Sequence, residues 1–351
     1  MSTNDPAELD PTGEIDVAAL ARWMDARGIA GEGELPSLSV MGGGASNLIL
    51  QVDRGDQQLI LRRPPIELAQ ERNSTMMREF RILEALGHTD VPHPQVFGAS
   101  DDERIAGAWF YMSELVDGFS VMQLKAWPAP FDTDMDARPE LAYELVRGIA
   151  KLARVDWRAV GLEGLGRPEG FHERQADRWS SHLEKHRFRD IPGFDDAAAW
   201  LRENQPTHFE PGIMHGDYQF ANVMFRHGAP ARLAAIIDWE MGTIGDPLID
   251  LAWVVMGWPN ADEDRTQRGY ADYNGMPDRE DLVAEWERVS GRSAEDLPYT
   301  LVLSRFKMAA ILEPSYARFV QGKSSNPMHE YFGQIVLDQA AAAAELAASL
   351  G

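Results

Sequence analysis

The spacing of apolar residues changes twice along this chain. Between residues 37 and 63 they come in short runs, "LSVMGGG", "SNLILQVD" and "QQLILRRP". Runs of this length, bounded by Gly, Asp and Pro, predict strands. The first two meet at glycines, and "RGD" joins the second to the third as a hairpin turn. Over 70–86 the period lengthens: Met76, Phe80, Leu83 and Leu86 share one helical face, closed by Gly87. "VPHP" then forces extended chain, and "AWFYMSELVDG" reads as a further strand and turn. Beyond residue 118 helical periods dominate, over about 138–158, 173–189, 247–258, 262–274, 280–290, 294–321 and 328–350. Two short strands, near 223–226 and 233–237, interrupt them. At the other end, 1–14 is polar and reads as a disordered tail, and Asp16 caps a short helix reaching residue 27. The expected architecture is α+β in two lobes: a tail and short helix over 1–34, a small β-rich lobe over 35–117 and a larger helical lobe over 118–351.

Composition narrows the function classes. The chain has 351 residues, 44% of them hydrophobic, enough for an ordinary core. No apolar run nears the roughly 20 residues of a membrane span; the longest, 251–258, is far shorter. The acidic start "MSTNDPAELD" does not resemble a signal peptide, so a cytoplasmic location is expected. There are no cysteines, which removes disulfides, thiolate metal sites and Cys nucleophiles. A net charge of −23 argues against nucleic acid or an anionic membrane as partner.

The chemistry gathers in "IMHGDYQFANVMF" over 213–225. A charge between apolar flanks must be compensated. Asp217 is a candidate base or orienting group for a hydroxyl, and Asn222, five residues on, offers a neutral oxygen. A second acidic pair follows in "AIIDWE", with Asp238 at the end of an apolar run. Magnesium prefers one or two carboxylates with phosphate oxygens and water, which suits Asp238 with Asn222. The order Asp217, Asn222, Asp238 matches the kinase pattern of an acceptor-side acid followed by two metal ligands. In the first lobe, Gly43, Gly44 and Ser46 of "MGGGASN" could let backbone amides approach phosphates. Arg62, in "LILRRPP", stands where kinases have Lys, and Glu79 faces inward to pair with it.

These motifs together resemble the aminoglycoside phosphotransferase family, which shares the protein-kinase-like fold with choline kinases. "HGDYQFANVMF" is similar to that family's catalytic loop, "IIDWEMGTIGDPLIDLAW" to its metal strand and following helix, and "GGGASN" to its nucleotide loop. "YMSELVDG" resembles its hinge between lobes, implying adenine contacts through the backbone of Ser113 and Leu115. The resemblance covers roughly 35–325. It implies ATP and Mg²⁺ as cofactors and a small-molecule hydroxyl as phosphate acceptor. "LRRPP" and "ERQADRW" are similar to the kinase-like modules related to those fused to acyl-CoA dehydrogenases, which implies a hydroxyacyl-CoA acceptor. An aminoglycoside or other cationic alcohol is the alternative acceptor, and a nucleotide-binding pseudokinase scaffold the alternative class.

Other residues carry blander readings. His215 reads as structural, Asp246 before Pro247 as a helix cap, and Asp250 as a brace for the loop. Glu240 reads equally as a metal neighbour or a solvent-facing acid. Arg174, Arg178, His182, Lys185 and Arg189 form a basic stripe, read as a solvated face with an anion site as the alternative. Trp157, Trp179, Trp200, Trp253 and Trp258 read as core.

Overall fold

The computed structural model describes residues 10–29, 31–41, 47–260, 263–266 and 271–351. The first of these correct the expected tail. Asp10 is buried, and its carboxylate accepts from the N–H groups of Thr12, Glu14 and Ile15 at 2.9, 2.8 and 2.8 Å. Residues 1–9 lie outside the described residues. Helix α1 (Val17–Asp25) starts as expected, with Asp16 accepting from the Ala19 N–H at 2.8 Å.

Five antiparallel strands follow: β1 (Ser37–Met41), β2 (Leu48–Arg54), β3 (Gln57–Arg63), β4 (Val96–Ser100) and β5 (Phe110–Glu114). Their order in the sheet is β1-β2-β3-β5-β4. Arg54 lies opposite Gln57, so Gly55 and Asp56 form a two-residue hairpin, with Gly55 at φ +59°. β4 is an addition to the expected strands; its "VFGAS" is short, and Gly98 breaks the alternation.

Helix α2 (Ala69–Leu86) buries Met76, Leu83 and Leu86 along one stripe, while Phe80 is half-buried. Glu79 falls inside that stripe and is fully buried. A carboxylate there needs partners. It finds Arg62 on β3 and Tyr111, which is cross-strand from Arg62 on β5. The apolar residues of α2 also join the core of the helical lobe, packing with Ile149, Tyr218 and Trp239. A separate core beneath the sheet holds Leu20, Leu50, Phe110 and Met112.

Two single turns, α3 (Glu103–Ala106) and α4 (Val121–Leu124), precede the main helices α5 (Pro139–Arg154), α6 (Gln175–Glu184), α7 (Phe194–Glu203), α8 (Leu248–Met256), α9 (Arg279–Ser290), α10 (Leu297–Val320) and α11 (Pro327–Leu350). Two antiparallel ribbons lie among them: β6 (Gly212–Met214) with β9 (Thr243–Gly245), and β7 (Val223–Phe225) with β8 (Leu233–Ile236). The helix expected over 173–189 is shorter, since it stops at Glu184, and α7 is a further helix. The helix expected over 262–274 does not form in 263–266 or 271–274; its remaining residues lie outside the described ones. There the acidic side chains take backbone amides for themselves: Asp264 accepts from Thr266, and Asp272 from Asn274. Such local bonds compete with the helical ladder.

One member of the basic stripe has a structural task. Glu313 of α10 is fully buried and takes the Arg189 guanidinium with both oxygens, at 3.0 and 2.7 Å. Arg189 also donates to the carbonyl of Gly333 in α11 at 2.8 Å. Removing one member of such a pair strands the other charge. We therefore expect Glu313→Ala to lose about 3 kcal/mol of stability. Denaturant unfolding checks this; an unchanged midpoint and slope would contradict it.

Candidate active site

Strand β6 delivers the chain to His215, and the loop that follows is held from below. Asp250 in α8 is buried and accepts from the His215 N–H at 2.6 Å and the Gly216 N–H at 2.8 Å. Burial pushes its carboxyl pKa up, while His215 and these amides pull it back. Gly216 sits at φ +85°, where an added Cβ would lie 2.8 Å from the Met241 carbonyl oxygen. Only glycine suits that approach. The Gly216 carbonyl accepts from the Lys307 ammonium at 2.6 Å. Lys307 comes from α10, and its burial lowers its pKa to about 8 against the opposing pull of Asp217 and Asp250. His215 Nε2 meets the Ile237 carbonyl at 2.9 Å, and Nδ1 accepts from the Asp217 N–H at 3.3 Å. That pair of contacts assigns the Nε2–H tautomer and gives His215 a structural role, as expected.

Asp217 is half-buried, and its charge meets three N–H donors. Asn222 Nδ2 reaches Oδ2 at 2.9 Å, Gln219 Nε2 reaches Oδ1 at 3.0 Å, and Trp253 Nε1 reaches Oδ1 at 2.9 Å. Asn222 Nδ2 donates to the Asp217 carbonyl as well, at 2.8 Å. The Asn222 amide nitrogen is thus engaged, which leaves its Oδ1 for another partner. The Ile237 N–H donates to the Asn222 carbonyl at 2.9 Å, so Asn222 lies across from the residue before Asp238.

Asp238 adopts left-handed backbone, φ +65° and ψ +63°. Asp visits this region more readily than most residues, yet it is sparsely populated, and such residues gather at functional sites. Ligand oxygens of Glu79, Asp238 and Glu240 all lie within 4.8 Å of one another. Arg62 spans two of these acids, with Nη2 2.6 Å from Asp238 Oδ1 and Nε 3.3 Å from Glu79 Oε2. Burial works against the Arg62 guanidinium, but Tyr111, Glu79 and Asp238 outweigh it and hold its pKa high. Burial drives the Glu79 pKa above its ordinary range, with Arg62 opposing and Asp238 and Glu240 reinforcing. Burial likewise raises Glu240, with Asp238 reinforcing and Arg72, at 3.6 Å, opposing. Three close carboxylates, Glu79 and Glu240 with raised proton affinity and Asp238 between them, form a donor set suited to a hard cation.

Other expected residues fall as follows. Gly43, Gly44 and Ser46 lie outside the described residues. Ser113 is paired within β5, and Leu115 is the first residue beyond that strand. Asp246 accepts from the Leu248 N–H at 3.0 Å, a capping contact, and its other oxygen lies 3.0 Å from His172 Nε2. Trp253 is buried as expected but also orients Asp217. Gln219, Lys307 and Arg78 were not anticipated. Lys307 had a readable signal: it shares a helical apolar face with Leu303, Phe306 and Ala310. Arg78 donates from Nη2 to the Glu240 carbonyl, tying α2 to the acid cluster.

A cavity of about 100 Å³ opens beside Lys307. Trp179, Met214, Met241, Ile249 and Leu303 contribute its apolar walls, and Arg78 and Arg178 its other charges.

Residues 37–291 match the model of the phosphotransferase enzyme family (APH). Acyl-CoA dehydrogenase family member 11 of Pongo abelii is 29% identical over 342 residues, covering 95% of this chain but 43% of that protein. This chain therefore spans less than half the length of that relative. A solved structure from Ralstonia eutropha JMP134, provisionally described as an aminoglycoside phosphotransferase, is 29% identical with a TM-score of 0.80, covering 95% of this chain and 99% of that one. The phosphotransferase APH(4)-Ia, solved with AMP-PNP and hygromycin B, shares the fold at 16% identity and a TM-score of 0.60, over 93% of this chain and 98% of that one. The family match covers Arg62 in the sheet, Glu79 on α2, the loop that carries Asp217 and Asn222, and Asp238 beyond β8; on that ground the chain belongs to the phosphotransferase enzyme family.

Proposed function

We propose that the chain is an ATP- and Mg²⁺-dependent kinase that moves the γ-phosphate to a hydroxyl of a small molecule. The observation that carries this reading is the Asp217 carboxylate, held by Asn222, Gln219 and Trp253 on a braced loop, with Asp238 following across the Ile237–Asn222 bond. Phosphoryl transfer asks a protein mainly for alignment and charge neutralisation. Asp217 orients the acceptor hydroxyl. Its oxygen forms the new bond to the γ-phosphorus, the bridging bond to ADP breaks, and Asp217 takes the hydroxyl proton. Asp238 and Asn222 would hold magnesium, with Glu240 beside them. The ion would neutralise phosphate charge. Arg62, set by Glu79, would neutralise charge on the same phosphates. Gly43, Gly44 and Ser46 would cover them, and the backbone at Ser113 and Leu115 would meet adenine. The AMP-PNP complex of the APH(4)-Ia neighbour supports a nucleotide in this cleft.

For the acceptor, we propose a hydroxyacyl-CoA. The likeness to acyl-CoA dehydrogenase family members supports it, since those proteins carry acyl-CoA in their names and match along most of this chain. The alternative, an aminoglycoside or other cationic alcohol, draws on the hygromycin B complex of a more distant neighbour. A pseudokinase scaffold is the weaker reading, because it would have no use for the combined placement of Asp217, Asn222 and Asp238.

Three outcomes follow. Asp217→Ala should lower turnover about 10²–10⁴-fold while nucleotide binding survives; turnover near wild type would remove Asp217 from the reaction. Magnesium should tighten ATP binding about tenfold or more in the wild type and have little effect in Asp238→Ala, as titration calorimetry with and without the ion can read. ADP release should depend on added hydroxyacyl-CoA and not on hygromycin B. Release with neither, alongside intact ATP binding, would favour the scaffold.

A further inference from the structure

The cavity beside Lys307 runs against the charge of the chain. There are 33 Lys and Arg residues against 56 Asp and Glu residues. Yet the charged residues lining this cavity are Arg78, Arg178 and Lys307, and among the described residues no carboxylate lines it. It sits directly behind the turn that presents Asp217, because Lys307 holds the carbonyl of Gly216.

Each of the three cations has donor capacity left over. Lys307 uses one of its three N–H groups on Gly216, and its ammonium lies 4.7 Å from the Trp253 ring centroid and 5.6 Å from that of Trp179. Arg178 stacks over the Trp179 ring, 4.9 Å from its centroid, and no hydrogen bond accompanies the stack among the described residues. Arg78 donates once, to the Glu240 carbonyl, while its buried Nε has no hydrogen-bond partner. What points to a ligand is the lining itself: three cations around an apolar cavity with no carboxylate among the described lining residues, a setting that an acceptor-bearing anion would complete. The charges also crowd one another: burial lowers the Arg178 pKa, and Arg78 and Arg174 lower it further. The acids that face Lys307 are Asp217 and Asp250, and both already accept N–H donors.

We infer that this cavity receives an anionic group of the acceptor, so that the site selects hydroxylated acceptors bearing negative charge next to an apolar stretch. The inference rests on the phosphotransfer reading for the word acceptor, but not for the binding itself. A volume of about 100 Å³ takes one such group with a few methylenes against Trp179, Met241 and Ile249, not a whole cofactor. A polycationic aminoglycoside would bring ammonium groups up to three cations, and like charges brought together oppose binding. The anion can be the carboxylate of a free hydroxy acid or a phosphate of a CoA ester; the chemistry at the cavity is the same.

Titration calorimetry without nucleotide separates these. The probes are octanoate, octanoyl-CoA and hygromycin B, none of which needs to react. The proteins are wild type, Arg178→Gln and Arg178→Glu, the last two at an exposed position whose folding is checked by thermal unfolding alongside the wild type. We expect at least one anionic probe to bind the wild type, to weaken about tenfold in Arg178→Gln and more in Arg178→Glu. Hygromycin B should bind more weakly than that probe. Binding of octanoate identifies the carboxylate as the source; binding of octanoyl-CoA alone identifies the CoA phosphates. If neither anion binds, if Arg178→Glu leaves the affinity unchanged, or if hygromycin B binds as tightly, the inference is overturned. Because no phosphate is transferred in this experiment, an enzyme inactive on every acceptor would sink the proposed reaction and leave this result standing.

Discussion

A carboxylate taken out of water is costly unless its lone pairs are met. Asp250 is buried at the start of α8 and is met by two consecutive backbone N–H groups, those of His215 and Gly216. That contact joins three elements at one point: strand β6, the turn at Gly216 and helix α8. From the opposite side Lys307 closes the arrangement by taking the Gly216 carbonyl. With both faces of one peptide turn pinned, Asp217 has little freedom, and its donors Asn222, Gln219 and Trp253 need only set the carboxylate's rotation. Trp253 lies on α8 three residues after Asp250, so the helix that anchors the backbone also orients the side chain. Loss of the Asp250 contact would therefore disturb the loop and the acid together.

The second centre uses charge in the opposite sense. Glu79, Asp238 and Glu240 repel one another, and only the cations between them make their proximity tolerable. Arg62 is well suited to this. Its planar fork reaches Asp238 from Nη2 and Glu79 from Nε, a span that a lysine ammonium, acting as a point charge, would not reproduce. The arginine at this position thus has a geometric reason within the lobe, independent of what it does to a phosphate. Arg78 and Arg72 add to the balance from the same helix, so α2 supplies both the buried acid and much of the charge that offsets the cluster.

Much of this was legible in the residues. Short apolar runs bounded by Gly, Asp and Pro gave β1, β2 and β3, and period-3.6 stripes gave the long helices. The pairing of Arg62 with Glu79 could be read because a glutamate stood on an apolar helical face, which is improbable without a partner. Lys307 offered the same signal on α10. What it could not offer was the identity of its acceptor, a backbone carbonyl 91 residues away. The role of Trp253 was hidden for a similar reason: an indole in an apolar helix announces burial, not the direction of its N–H. The helix expected over 262–274, which does not form in 263–266 or 271–274, shows a different limit. Its periodicity was real, but Asp264 and Asp272 found nearer amides, and local hydrogen bonds decided the backbone.

Net charge is the least informative of these signals about the substrate, and the reason is spatial. A formal charge of −23 describes the chain as a whole. The reacting group meets only the few side chains that line its cavity. In water, exposed charges beyond about 8–10 Å are screened, whereas partly buried cations at a cavity wall are screened far less. Of the cations lining the cavity, half-buried Arg78 and buried Lys307 are therefore the least screened, despite the acidic surface around them. The same acidity would be expected to draw cationic alcohols toward the protein, and the cavity would then oppose them at the point of reaction. Attraction at a distance and selection at contact need not share a sign, and for this fold the contact term is the one that bears on which hydroxyl is phosphorylated.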